Sequence, residues 1–114
     1  MIQKPILKVD QRYIQSLVDK IKEKFHPQKI ILFGSYAYGT PKNGSDLDLL
    51  VIMDTDLRSY KQSAIIRQTL DESFGVIFPM DIIVRTPAET QKRMREGDFF
   101  IQHILNFESS GIEI

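Results

Sequence analysis

Two aspartates one residue apart, Asp46 and Asp48, open an otherwise apolar run of Leu47, Leu49, Leu50, Val51 and Ile52. An unpaired carboxylate at such a place is costly, so the pair calls for a compensating cation. Side chains alternate along a strand, which puts both acids on one face, about 7 Å apart. Two carboxylates so arranged can grip a hard cation. Magnesium in particular takes one or two protein carboxylates and fills its other positions with water and phosphate oxygens. The arrangement therefore suits a metal–nucleotide complex better than a fully enclosed ion.

Upstream, Gly34 and Ser35 interrupt the apolar run Ile30-Ile31-Leu32-Phe33. Glycine lets backbone approach a ligand closely, an N–H at the start of a short helix points at an anion, and the serine hydroxyl can hydrogen-bond a phosphate oxygen. A third acid, Asp81, is a lone charge at the start of Met80-Asp81-Ile82-Ile83-Val84. If that strand lies beside the one carrying Asp48, Asp81 converges on the pair. It could then bind the second of two metals and accept the proton of an attacking hydroxyl. Each feature alone is common: Asp46 could be a turn residue after Ser45, and Asp81 could pair with Arg85 or a backbone amide. Their order and spacing together read as a phosphate cradle beside a metal site.

The elements that must position these residues follow from periodicity and punctuation. Asp10 is a candidate N-cap for a helix over Gln11–Phe25, with Ile14, Leu17, Val18, Ile21 and Phe25 on one face. Pro27 stops it, and His26 is expected at the surface near the helix C-terminus. Residues 1–9 read as an irregular lead-in. Lys29–Phe33 is a strand covered on both faces, Tyr36-Ala37-Tyr38 form one helical turn ended by Gly39, and residues 40–45 are a loop. A second strand spans residues 47–53. A helix over Ser59–Phe74 carries Ala64, Ile65, Ile66, Leu70 and Phe74, and Gly75 ends it. A third strand covers residues 80–84, behind Pro79. Thr86-Pro87-Ala88-Glu89 is a capping box with proline at the first helical position. After Gly97-Asp98, a last helix over residues 99–107 offers Phe100, Ile101, Ile104 and Leu105 as its buried stripe. Gly111 closes it, and residues 112–114 add a short terminal strand. This order gives an α+β fold, a small mixed sheet of three or four strands packed with helices, in one domain over residues 1–114.

The 114 residues are 42% hydrophobic and 26% charged, an ordinary globular composition. No apolar run reaches the roughly 18 residues needed to cross a bilayer, and the start lacks the apolar region of a signal peptide, so no membrane association is expected and the cytoplasm is the expected location. Without cysteine there is no disulfide, thiolate ligand or thiol nucleophile. Net charge is zero, which gives no indication of direct nucleic-acid binding. Residues 31–60 hold four acidic and two basic side chains, a negative centre that suits a cation. Tyr36 and Tyr38 are expected to pack or lie at the surface. Arg85, Lys92, Arg93 and Arg95 read as a solvated basic face, and His103 as a core or interface histidine.

The segment Gly34-Ser35-Tyr36-Ala37-Tyr38-Gly39 followed by Ser45-Asp46-Leu47-Asp48-Leu49-Leu50-Val51 resembles the signature of the DNA polymerase β-like nucleotidyltransferase superfamily. It is most similar to the small minimal nucleotidyltransferases. The motif covers about 20 residues, and the flanking element order agrees with it along nearly the whole chain. The resemblance implies that Gly34 and Ser35 hold the triphosphate, that Asp46 and Asp48 bind two Mg²⁺, and that Asp81 is the third catalytic carboxylate. Many relatives carry arginine where this chain has Tyr38, which puts a phosphate contact from that position in doubt. The resemblance further implies transfer of a nucleoside monophosphate, AMP from ATP, to a hydroxyl of a partner protein. The implied partner is a helical HEPN-domain toxin, with this chain as its antitoxin. The alternatives are an antitoxin that acts by binding alone and an antibiotic- or small-molecule-modifying nucleotidyltransferase, whose acceptor a homo-oligomer could hold.

Overall fold

A computed structural model describes residues 11–39, 45–75, 79–105 and 112–114. The expectations for Asp10 as a cap, residues 1–9 and 40–44, the last two residues of the 99–107 helix, and Gly111 lie outside them. The order is α1 (Gln11–Phe25), β1 (Lys29–Phe33), α2 (Ser35–Tyr38), β2 (Leu47–Ile52), α3 (Ser59–Phe74), β3 (Met80–Arg85), α4 (Pro87–Arg95), α5 (Phe99–Leu105) and β4 (Ile112–Glu113). The four strands form one mixed sheet in the order β3-β2-β1-β4. β1 is antiparallel to both β2 and β4, and β2 is parallel to β3, the connection running through α3. The expected α+β class holds. Among the described residues no helix is long and apolar enough to cross a membrane.

Both sheet faces are covered, which is why β2 reads as nearly continuous apolar sequence. On one face Ile30, Leu32, Leu47, Leu49, Val51, Ile82 and Val84 pack against Ile14, Leu17, Val18 and Ile21 of α1 and Ile66 and Leu70 of α3. On the other, Ile31, Leu50 and Ile52 pack against Ile101 and Ile104 of α5. α1 ends as its punctuation indicates: His26 takes a left-handed φ of 49°, and its N–H donates to the Lys22 carbonyl ahead of Pro27. The capping box of α4 is complete, with Glu89 N–H donating to Thr86 Oγ1 and Thr86 N–H donating to Glu89 Oε1.

Three expectations change. In α3, Ala64 and Ile65 face solvent and only Ile66 and Leu70 of the expected apolar set are fully buried. The stripe facing β3 is polar instead. Ser59 Oγ donates to the Val84 carbonyl at 2.7 Å, Ser63 Oγ to that of Ile82 at 2.6 Å, and Arg67 Nη1 to that of Met80 at 3.1 Å. Four residues of helix rise about 6 Å and two residues of strand about 6.6 Å, so positions 59, 63 and 67 keep step with 84, 82 and 80. In α5, Phe100 is not in the buried stripe but 41% exposed, because it turns toward Phe33 rather than into the sheet. His103 is exposed, not a core side chain, because Ile101 and Ile104 take the sheet-facing stripe of α5.

The α3–β3 ladder gives a direct test. Ser63→Ala leaves the Ile82 carbonyl without its partner in a part-buried site, and the expected cost is about 1 kcal/mol. Urea unfolding of this variant beside Ser73→Ala, at an exposed position of the same helix, measures it; equal midpoints would deny the ladder a stabilising role.

Candidate active site

The register of the sheet assembles the site. Phe33 on β1 is the partner of Asp48 on β2, and Asp48 is the partner of Asp81 on β3. Partners on neighbouring strands share a face, so Phe33, Asp48 and Asp81 form one row across three strands. The next row along the same face is Ile31, Leu50 and Ile83, against which α5 packs. A row with two carboxylates thus borders the apolar one, and its third member, Phe33, still meets Phe100 of α5. Asp46 precedes β2 by one residue and is exposed, and the Leu47 N–H donates to the Pro79 carbonyl, pinning the start of β2 beside β3.

Gly34 follows directly on Phe33. Its φ of 75° and ψ of −158° belong to a region that only glycine occupies readily. A Cβ there would also overlap Oδ2 of Asp48. Two independent constraints therefore demand glycine, and the second brings the peptide backbone up against a carboxylate. Ser35 begins α2 and is half-buried, and the turn is closed by the Ala37 N–H donating to the Gly34 carbonyl. Tyr36 is buried in the core beside α1, as a packing residue should be; the side chain of Tyr38 is outside the description.

Electrostatics set Asp48 apart. Its pKa is pushed up to about 6, first by burial and then by the charges of Asp81 and Asp46. Like-charged, partly desolvated carboxylates at one place are held together at a cost that a cation relieves. The donors are all oxygen, which fits a hard ion such as Mg²⁺. Among the described residues no three acidic or histidine side chains are gathered into a ready-made metal cage. That too is compatible with Mg²⁺, which needs few protein ligands when phosphate oxygens supply the rest. The oxygen-donor chemistry of Asp48 and its charged neighbours Asp46 and Asp81 suits such an ion.

Of the basic cluster, Arg85, Lys92 and Arg93 are engaged elsewhere. Arg85 Nη1 donates to Ser59 Oγ and to the Val84 carbonyl, and its Nε is buried with no hydrogen-bond partner among the described residues. Lys92 pairs with Glu96 and Arg93 with Asp98, and Arg95 is exposed, as on a solvated helix face. Phe33 is the site neighbour that spacing did not single out. Alternation within β1 assigns its face only once the register against β2 is known.

The site therefore consists of a part-buried Asp48 set between Phe33 and an exposed Asp81, beside the Gly34-Ser35 turn. Residues 14–106 match the model of the nucleotidyltransferase domain, and the chain belongs to that family. A segment of 49 residues is 41% identical to a Methanocaldococcus jannaschii protein named "Putative protein adenylyltransferase", covering 41% of this chain and 49% of that protein. The chain thus spans about half the length of the curated relative it matches. A crystal structure described as a "putative nucleotidyltransferase" from Sulfolobus solfataricus superposes with a TM-score of 0.53 at 18% identity, over 71% of this chain and 70% of that one. The BolA domain of SufE1 from Arabidopsis thaliana superposes with a TM-score of 0.52 at 17% identity, over 72% of this chain and 99% of that domain. At these identities both likenesses concern the fold alone.

Proposed function

We propose that this nucleotidyltransferase moves a nucleoside monophosphate, AMP from ATP, to a hydroxyl of a partner protein, as the antitoxin of a HEPN-domain toxin. The observation that carries the reading is the registered pair Asp48–Asp81 beside a glycine that leaves room for the Asp48 carboxylate. The Gly34-Ser35 turn would hold the triphosphate, and Asp46, Asp48 and Asp81 would hold Mg²⁺. When bound, the ions neutralise phosphate charge and polarise the phosphorus under attack. The acceptor oxygen forms a bond to the α-phosphorus, the bond from that phosphorus to the bridging oxygen breaks, and pyrophosphate leaves. Asp81 takes the acceptor's proton. It lies on the edge strand and lines an open groove with Tyr60, Ser63 and Arg67, so an acceptor on another molecule can reach it from that side.

The named relative supports a protein acceptor, since its own name specifies one. The test is transfer of label from α-labelled ATP to the product of the neighbouring gene. Asp46→Ala and Asp48→Ala, alone or together, are expected to lower labelling at least about a thousandfold while the fold persists. Undiminished labelling by the double variant would sink the proposal.

A further inference from the structure

The row across the sheet has a third member that the proposed chemistry does not use. Phe33 shares the row with Asp48 and Asp81, and its ring meets Phe100 of α5 at 5.3 Å between centroids and 83° between planes. Phe33 is half-buried, while Phe100 keeps 41% of its surface in solvent although both neighbours of its helical stripe, Ile101 and Ile104, are buried. An aromatic ring left open beside carboxylates and a Gly-Ser turn has an obvious kind of ligand: a flat, π-faced group attached to phosphates. We propose that Phe33 and Phe100, packed edge to face, form the platform on which the base of the donor nucleotide stacks.

The two sides of Asp48 decide between donor and acceptor. On the β1 side, Phe33 runs straight into Gly34 and Ser35, so a nucleotide whose phosphates sit on that turn keeps its base within reach of the platform. On the β3 side Asp81 lines a groove with Tyr60, Ser63 and Arg67 of α3, where a second molecule can enter. The platform therefore belongs to the donor. Stacking tolerates any base, because every base has a π face, so the platform contributes affinity and leaves the choice between adenine and guanine to other contacts.

This rests on the nucleotidyltransferase reading, and calorimetry on the full chain with Mg²⁺ separates the two. The probes are ATP, GTP and inorganic tripolyphosphate, which carries the phosphates without a base. Phe100→Leu is expected to weaken ATP and GTP about tenfold alike and to leave tripolyphosphate within roughly twofold of wild type. Phe100→Trp is expected to restore nucleotide binding. The chain has no tryptophan, so the new indole reports alone, and its fluorescence should be quenched by ATP but not by tripolyphosphate. Equal loss of all three probes in Phe100→Leu would mean that the ring only supports the fold, and unchanged ATP binding would remove the platform outright. A wild-type protein that binds tripolyphosphate as tightly as ATP would also overturn it. Failure of wild type to bind any probe would overturn the nucleotidyltransferase reading itself.

Discussion

Asp48→Asn is expected to make the metal-free protein more stable at pH 7.5 and at the same time to end nucleotidyl transfer. The folded protein holds the Asp48 carboxyl at a pKa of about 6, above its ordinary 3.8, through burial and the charges of Asp81 and Asp46. Such a group binds its proton more tightly folded than unfolded. Its contribution to stability is fully present below about pH 3.8 and is lost as pH rises through about 6. Water reaches this half-buried carboxyl, so the loss is on the order of 1–2 kcal/mol rather than the full conversion of the shift. Asparagine keeps the shape and removes the charge. Wild type and variant should therefore melt together near pH 4 and separate between pH 4 and 7, with the variant higher. Added Mg²⁺ should raise the melting temperature of wild type, as any ligand of the native state does, and leave the variant nearly unmoved. Parallel pH dependences for the two proteins would show that Asp48 carries no such penalty.

Gly34→Ala is expected to be the most damaging single methyl group that can be added to the described part of the chain. Its left-handed φ with an extended ψ costs a non-glycine residue about 1–3 kcal/mol. The new Cβ also meets the Asp48 carboxylate, so either that side chain or the turn must move. Transfer should fall by at least about a hundredfold, since both the backbone of the turn and Asp48 are displaced together. The two causes separate in a double-mutant cycle. In an Asp48→Ala background the overlap is gone and the backbone strain remains, so Gly34→Ala should cost less there than in wild type. An identical cost in both backgrounds would exclude the clash.

Much of this site could be read directly. Gly34-Ser35, Asp46-x-Asp48 and the lone Asp81 are local signals, and the stripe of Ile14, Leu17, Val18 and Ile21 identified α1 and its buried face. What escaped was non-local. That Asp48 lies between Phe33 and Asp81 depends on two registers, and a slip of one residue in either would send a partner to the opposite face. Hydrophobic periodicity also misjudged α3, because it counts apolar side chains while the stripe toward β3 is made of hydroxyls and a guanidinium. Phe100 looked like core for the complementary reason. Its type suits burial, and only the neighbouring Phe33 explains why it stands half in water.

The hydrogen-bonded ladder from α3 to β3 has a consequence for how an acceptor would be read. An uncovered edge strand offers its carbonyls to any extended peptide and holds it by main chain alone. Here the outward carbonyls of Met80, Ile82 and Val84 are already taken by Arg67, Ser63 and Ser59. A polypeptide arriving beside Asp81 must then be recognised through its side chains, which turns the edge from an indiscriminate template into a selective one. Acceptor peptides N-methylated along the backbone around the reactive hydroxyl should remain substrates, whereas exchanging the side chains on either side of it should abolish labelling. The opposite ranking would mean that the ladder opens when the partner docks.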